Sequence, residues 1–420
     1  MRKVALLFPG QGSQYIGMGQ ELFKLNSVVN NTFVEASEVL DRDIAKLCFE
    51  SSPEVLTQTE NAQVAILTMN VALYRQFESE YGIMPSAVAG HSLGEYAALV
   101  ASRVLSFSDA LKLVEQRARL MAEAAANSQG AMLAVIGADE ALVKQYCEQA
   151  SVGSTVVAPA NFNAGDQIIV SGSVDGIEAI QQYFDDLNIK NQRLRVSGAF
   201  HSPLMQVAAD HFEQEIAKYT FAEPVCPVIS NVTGQAYKGA SEIKQLLVDQ
   251  LVSPVCWRQT MDYIQQECIS LALELGPGSV LKKLAKHHYA VEALSYDLKA
   301  DREHLSALVM NRSERAQFNQ EQNINVFNKC MAVAVSTRNT NDDIEAYERG
   351  AVQPYNALKA LNEAGDVTAD TAQQALSLLK TILDTKGVSH HEQLQRFNQV
   401  ADEVQLNTLI TDFSVSELVG

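Results

Sequence analysis

The 420-residue sequence predicts an α/β protein with a small inserted domain and a helical C-terminal extension. Three observations predict it. Short apolar runs at residues 4–8 and 87–89 each end in a polar, glycine-rich turn, the strand-then-loop order of an α/β core. Between about residues 130 and 196, strand and helix patterns alternate as βαββαβ, the ferredoxin-like order. Beyond about residue 300 strand signals vanish and apolar residues recur only at helical spacing.

Taken in order, residues 3–8 read as a buried strand that Pro9-Gly10-Gln11-Gly12-Ser13-Gln14 ends as a loop. From 63 to 77, Val64, Leu67, Val71 and Tyr74 recur at helical spacing, and Gly82 follows as a stop. Residues 87–89 form a strand that enters Gly90-His91-Ser92-Leu93-Gly94, and 95–100 have helix-forming composition. The insert is read as strand 132–136, helix 138–150, strands 155–159 and 167–171, helix 174–187 and strand 192–196. Strands resume at 225–230 and 271–275. In the extension, Leu376, Leu379, Ile382 and Leu383 share a helical face that Gly387 closes, and Ser389 to Glu392 is a capping box opening another helix with Leu394, Phe397, Val400 and Val404 on one side. The Asn- and Gln-rich stretch 317–328 is expected to be a linker. The expected domains are 1–128 with 197–300, the insert 129–196, and the extension 301–420.

Composition is 47% hydrophobic and 20% charged, with 22 Gly and 10 Pro, which excludes disordered and collagen-like classes. Net charge is −18, a sign opposed to nucleic acid and to anionic membrane surfaces. The apolar run at the start is too short for a signal-peptide core, and no run approaches the ~18 residues of a membrane span. The six cysteines are scattered with no CxxC pair, so no metal site is expected, and reduced thiols in a cytoplasm are the simplest reading.

Gly90 to Gly94 has the G-x-S-x-G form of a nucleophile elbow, a sharp strand-to-helix turn that lifts a serine hydroxyl, here Ser92, over the sheet. A chance match in an ordinary βα turn is the alternative. Serine needs a base, most often histidine. His91 is next in the chain but on such a turn its ring points away, and His287, His288, His390 and His391 lie in settings that suit the surface. His201 follows Gly198-Ala199-Phe200 where the chain leaves the insert, and loops at such junctions line clefts. The residues alone leave a purely structural histidine open.

Together, the motif 8–14, Gly90 to Tyr96 (GHSLGEY), Gly198 to Ser202 (GAFHS) and Glu274 to Gly278 (ELGPG) resemble the bacterial malonyl-CoA:acyl carrier protein transacylases and the acyltransferases that serve polyketide synthases in trans. The resemblance covers about residues 1–300. It implies an α/β-hydrolase-like large domain with a ferredoxin-like insert, and ping-pong transfer of malonyl from malonyl-CoA to an acyl carrier protein through an ester on Ser92, with His201 as base and then acid. It implies an oxyanion hole from the amides of Gln11 and Leu93, and a carbonyl at Gln250 orienting His201.

The resemblance also makes Arg117 the partner of the malonyl carboxylate, a task suited to a bidentate, permanently charged guanidinium. Arg119 on the same helix reads as a surface residue. Phe200 resembles the aromatic residue that limits room for branched acyl groups. Gln63 and Asn163 match family positions near the cleft, although Gln63 could be a polar helix residue and Asn161-Phe162-Asn163 a plain turn. Lys282, Lys283 and Lys286 read as a solvated helix face. The expected enzyme is a cytoplasmic monomer without a cofactor, for fatty-acid or polyketide synthesis. A hydrolase that clears stalled acyl groups is the alternative within the fold, although it has no use for Arg117. A non-catalytic docking protein is the third reading.

Overall fold

The computed structural model describes residues 3–194, 196, 198–286, 291–341, 343–364, 368–404, 410 and 415. His287 and His288 lie outside the described residues. Contacts divide the chain into two compact units, residues 1–305 and 306–420.

The first unit holds two sheets. The larger has five strands in the order β7-β2-β1-β8-β9, with β1 Val4–Phe8, β2 Ala87–Gly90, β7 Val228–Ile229, β8 Leu271–Glu274 and β9 Glu292–Ser295. All its pairs are parallel, and Phe8 stands opposite Gly90 while Leu7 stands opposite Glu274. The carboxyl ends of β1, β2 and β8 therefore open at one edge, where an open parallel sheet leaves its crevice. Their side chains are buried on both faces and, Glu274 apart, apolar, as a sheet covered by helices requires. The strand expected at 225–230 is reduced to Val228–Ile229, and β9 is an addition that sequence reading missed.

The smaller sheet is antiparallel in the order β4-β5-β3-β6, with β3 Gly130–Ile136, β4 Val157–Ala164, β5 Gln167–Ser173 and β6 Lys190–Arg193. Helices Glu140–Ala150 and Val174–Asp186 seat Val143, Cys147, Ile177, Ile180 and Phe184 against it. Asn161-Phe162-Asn163 is not a turn: it is the end of β4, and the turn falls on Gly165 and Asp166. Register shifts at Pro159/Asn161 and Phe162/Ala164 let this edge strand keep both a proline and two buried asparagines.

The second unit is helical. Leu376, Leu379, Ile382 and Leu383 on Ala369–Thr385 pack with Leu358, Phe397 and Val400, and Gly387 (φ 73°) ends the turn after that helix. His390 and His391 are exposed. The stretch 317–328, expected to be a linker, is helical, within Lys299–Ser336. Asn and Gln tolerate a helix, and Val326 and Phe327 supply buried anchors at its end.

Candidate active site

Three backbone segments meet at the open edge of the parallel sheet. Between β2 and helix Gly94–Ala101 the chain turns so sharply that Ser92 takes φ 51°. A Cβ on Gly90 would come within 1.8 Å of the Gly94 backbone, and one on Gly94 within 1.9 Å of the Phe8 carbonyl oxygen. Only glycines allow β1, β2 and the helix to approach this closely. Asn231, just beyond β7, clasps the turn: its Oδ1 accepts from the Ser92 amide at 2.6 Å and its Nδ2 donates to the Gly90 carbonyl at 2.6 Å.

His201 also has a left-handed backbone, φ 57°. Its Nε2 lies 2.8 Å from Ser92 Oγ and its Nδ1 2.8 Å from the carbonyl oxygen of Gln250. A carbonyl can only accept, so Nδ1 carries the hydrogen and Nε2 is left to accept from the serine hydroxyl. Burial, reinforced by the charge of Arg117, pushes the His201 pKa down to about 3 and keeps the ring neutral. Among the described residues no carboxylate bonds to the histidine; the Gln250 main chain holds it.

Arg117 comes from helix Phe107–Ser128 and is 1% exposed. One Nη donates to Gln63 Oε1 at 2.6 Å; the other donates to Gln250 Oε1 at 2.9 Å and to Ser92 Oγ at 3.2 Å. The guanidinium sits over the Tyr96 ring, 5.6 Å from its centroid. Arg119, two residues on, is exposed and pairs with Glu123.

A cavity of about 110 Å³ lies over these groups, lined by Ser92, His201, Arg117, Gln11, Leu93 and Phe200, with Met132, Asn161 and Leu194 from the side of the smaller sheet. Of the site residues expected from sequence, Gln63, Asn163 and Gln250 do not line it. Gln63 braces Arg117 from behind, and Asn163 Oδ1 accepts from His91 Nε2, 2.9 Å away, while the His91 ring packs on Trp257. Lys282 is drawn out of the expected solvated face by a 2.6 Å pair with Asp301, whereas Lys283 and Lys286 are exposed.

Sequence reading missed Asn231, Glu95 and Tyr237. Glu95 is buried beneath the site, and its carboxylate accepts from Gln250 Nε2 at 2.6 Å, from the Tyr237 hydroxyl and from the Asn231 amide at 3.3 Å. Burial raises its pKa to about 7. Among the described residues no cluster of three or more potential metal ligands occurs and no helix is long and apolar enough to cross a membrane.

An acyl transferase domain family matches residues 5–333. The chain is 40% identical over 287 residues to the malonyl CoA-acyl carrier protein transacylase of Bacillus subtilis strain 168, covering 68% of this chain and 90% of that protein. It is 31% identical over 404 residues to another Bacillus subtilis protein of the same name, covering 94% of this chain and 99% of that one, so this match runs well into the second unit. Among solved structures, a malonyl-transacylase in complex with its type II polyketide-synthase acyl-carrier protein is 36% identical, covers 71% of this chain and 97% of its own, and superposes with a TM-score of 0.69.

Proposed function

The chain belongs to the acyl transferase family, and on that footing we propose that it transfers malonyl from malonyl-CoA to the phosphopantetheine thiol of an acyl carrier protein. It is an acyltransferase of fatty-acid or polyketide biosynthesis. The observation that carries the malonyl assignment is the buried Arg117 guanidinium held 3.2 Å from the Ser92 hydroxyl: an acyl group esterified there meets a dehydrated cation that only a carboxylate can match.

In the first half-reaction Ser92 Oγ attacks the thioester carbonyl as its proton passes to His201 Nε2. The oxyanion is received by the amides of Gln11 and Leu93, donors worth about 3–4 kcal/mol each in related chemistry. Collapse breaks the C–S bond, and the imidazolium returns its proton to the departing CoA sulfur. In the second half the carrier thiol gives its proton to His201 and attacks the Ser92 ester, and Ser92 Oγ leaves with that proton. Gln250 holds the histidine tautomer throughout. Phe200 narrows the cavity for branched acyl groups, and Gln63 and Asn163 support Arg117 and His91. We read the parallel sheet as α/β-hydrolase-like and 129–196 as a ferredoxin-like insert, supported by the 4-5-3-6 strand order, with 301–420 as an extension.

Intact-protein mass spectrometry after mixing with malonyl-CoA tests the reading. A malonyl adduct is expected on the unaltered protein, none on Ser92→Ala, and formation several orders of magnitude slower on His201→Ala because the two residues act as a unit. A persistent adduct on Ser92→Ala overturns it.

A further inference from the structure

Glu95 touches neither cavity nor nucleophile, yet it is a buried carboxyl with every hydrogen-bond partner a donor: the Tyr237 hydroxyl, the Gln250 side-chain amide and the Asn231 main-chain amide. Such a set is matched by a carboxylate with both oxygens accepting, the form these donors favour against the burial that raises the group's pKa and the form held above about pH 7. Its strongest consequence lies one residue away. The Gln250 side chain has two ends: Oε1 faces Arg117, which can only donate, and Nε2 faces Glu95 and the Ser92 carbonyl, which can only accept. Among the described residues no carboxylate forms an ion pair with Arg117, and the negative charge on Glu95 reaches it through one intervening amide.

We propose that Glu95 is the positioning residue for malonyl selectivity: its carboxylate fixes the Gln250 amide with oxygen toward Arg117, which holds the guanidinium over Ser92 and leaves it free of an internal carboxylate that would compete with substrate. A direct Glu–Arg pair at this depth would close the fork to malonate, and an uncompensated arginine would be costly to bury. Placing the counter-charge one amide away avoids both. The inference rests on the malonyl-transfer reading above.

Glu95→Gln tests it. A glutamine at 95 must accept from Tyr237 and Asn231 with its one oxygen, which turns its NH2 toward the NH2 of Gln250. Either the Gln250 NH2 loses its acceptor at 95, or the amide flips and sets a donor against Arg117 and its oxygen against the Ser92 carbonyl; both loosen the hold on the guanidinium. The His201 contact is unaffected, because it uses the main-chain carbonyl of Gln250. The expected result is a ~10- to 100-fold loss in kcat/KM for malonyl-CoA, mostly in KM, the size of one lost hydrogen bond to a charged group, with acetyl-CoA changed by less than about threefold. Gln250→Leu should also lower the malonyl-to-acetyl ratio, and in that background Glu95→Gln should lower it no further. Equal losses on both thioesters, or an unchanged ratio, overturn the proposal. Should Glu95→Gln not fold, Tyr237→Phe, whose tie to the site runs through Glu95, must still lower the malonyl-to-acetyl ratio by about twofold or more, and an unmoved ratio there is equally fatal. Failure of the transfer reading itself is separate: the unaltered enzyme would take up no malonyl at all.

Discussion

Arg117 Nη2 donates to Ser92 Oγ across 3.2 Å, which joins the proposed nucleophile to the proposed carboxylate-binding cation. An acyl group on Ser92 must displace that contact, and only one with a carboxylate a few bonds from its carbonyl replaces it with something stronger. Recognition and chemistry thus share an atom.

Arg117→Ala therefore separates the substrates. It leaves a malonyl carboxylate buried without its partner, a loss of about 3–5 kcal/mol, or roughly 10²- to 10³-fold or more in kcat/KM at 1.36 kcal/mol per tenfold. Acetyl-CoA should lose little. Arg117→Lys should rescue poorly, since an ammonium lacks the fork. Steady-state kinetics on both thioesters decides it, and equal losses would reduce Arg117 to a structural role.

The pH profile is a second test. In the proposed mechanism His201 works as the neutral ring, and because burial pushes its pKa down to about 3, activity should be lost only as pH falls toward that value instead of through the ordinary ~6.5. With acetyl-CoA, which leaves the carboxylate-binding groups out, kcat/KM reports the free enzyme and should stay flat from about pH 8 to pH 5. A limb centred near ~6.5 would mean that the ring is far better hydrated than its surroundings imply.

Shortening the chain tests the division at Leu305. A protein ending there keeps Asp301, which accepts from Lys282 at 2.6 Å and from the Ser295 amide at 2.7 Å, and keeps the buried Leu305. It should fold and load a free carrier protein. A protein ending at Lys299 loses Asp301 and should be about 1–3 kcal/mol less stable by denaturant titration. If the longer version folds but does not transfer, residues 306–420 take part in the reaction.

What was legible in the sequence was local. Ser92 was readable because strand, tight turn and helix follow within a dozen residues, and His201 because it sits at the exit of a βαββαβ run. Gln250 was reached only by resemblance. Glu95, Asn231 and Tyr237 meet across more than 130 residues, which no local pattern records. One clue to Glu95 was present: Gly94, Tyr96, Ala97, Ala98 and Leu99 make its helix apolar all round, so a charge there has no wet face to occupy. Asn161 and Asn163 were misread as turn formers because their preference for turns was overridden by pairing with β5 and by side-chain partners within the fold. Residues 317–328 were read as a linker because few of them are apolar; they lie within the helix Lys299–Ser336.

Ser92 and His201 both hold their backbones at positive φ, a conformation that costs a non-glycine residue on the order of 1–3 kcal/mol. The rest of the fold sustains that tension at the two positions whose side chains the proposed mechanism uses. Durability and activity therefore pull in opposite directions. A population of variants selected for heat resistance alone would find relief by placing glycine at 92 or 201, and would gain longevity by extinguishing the enzyme. Screens for robust descendants of this protein need turnover as a second criterion, because thermal survival by itself rewards the loss of the residues that define it.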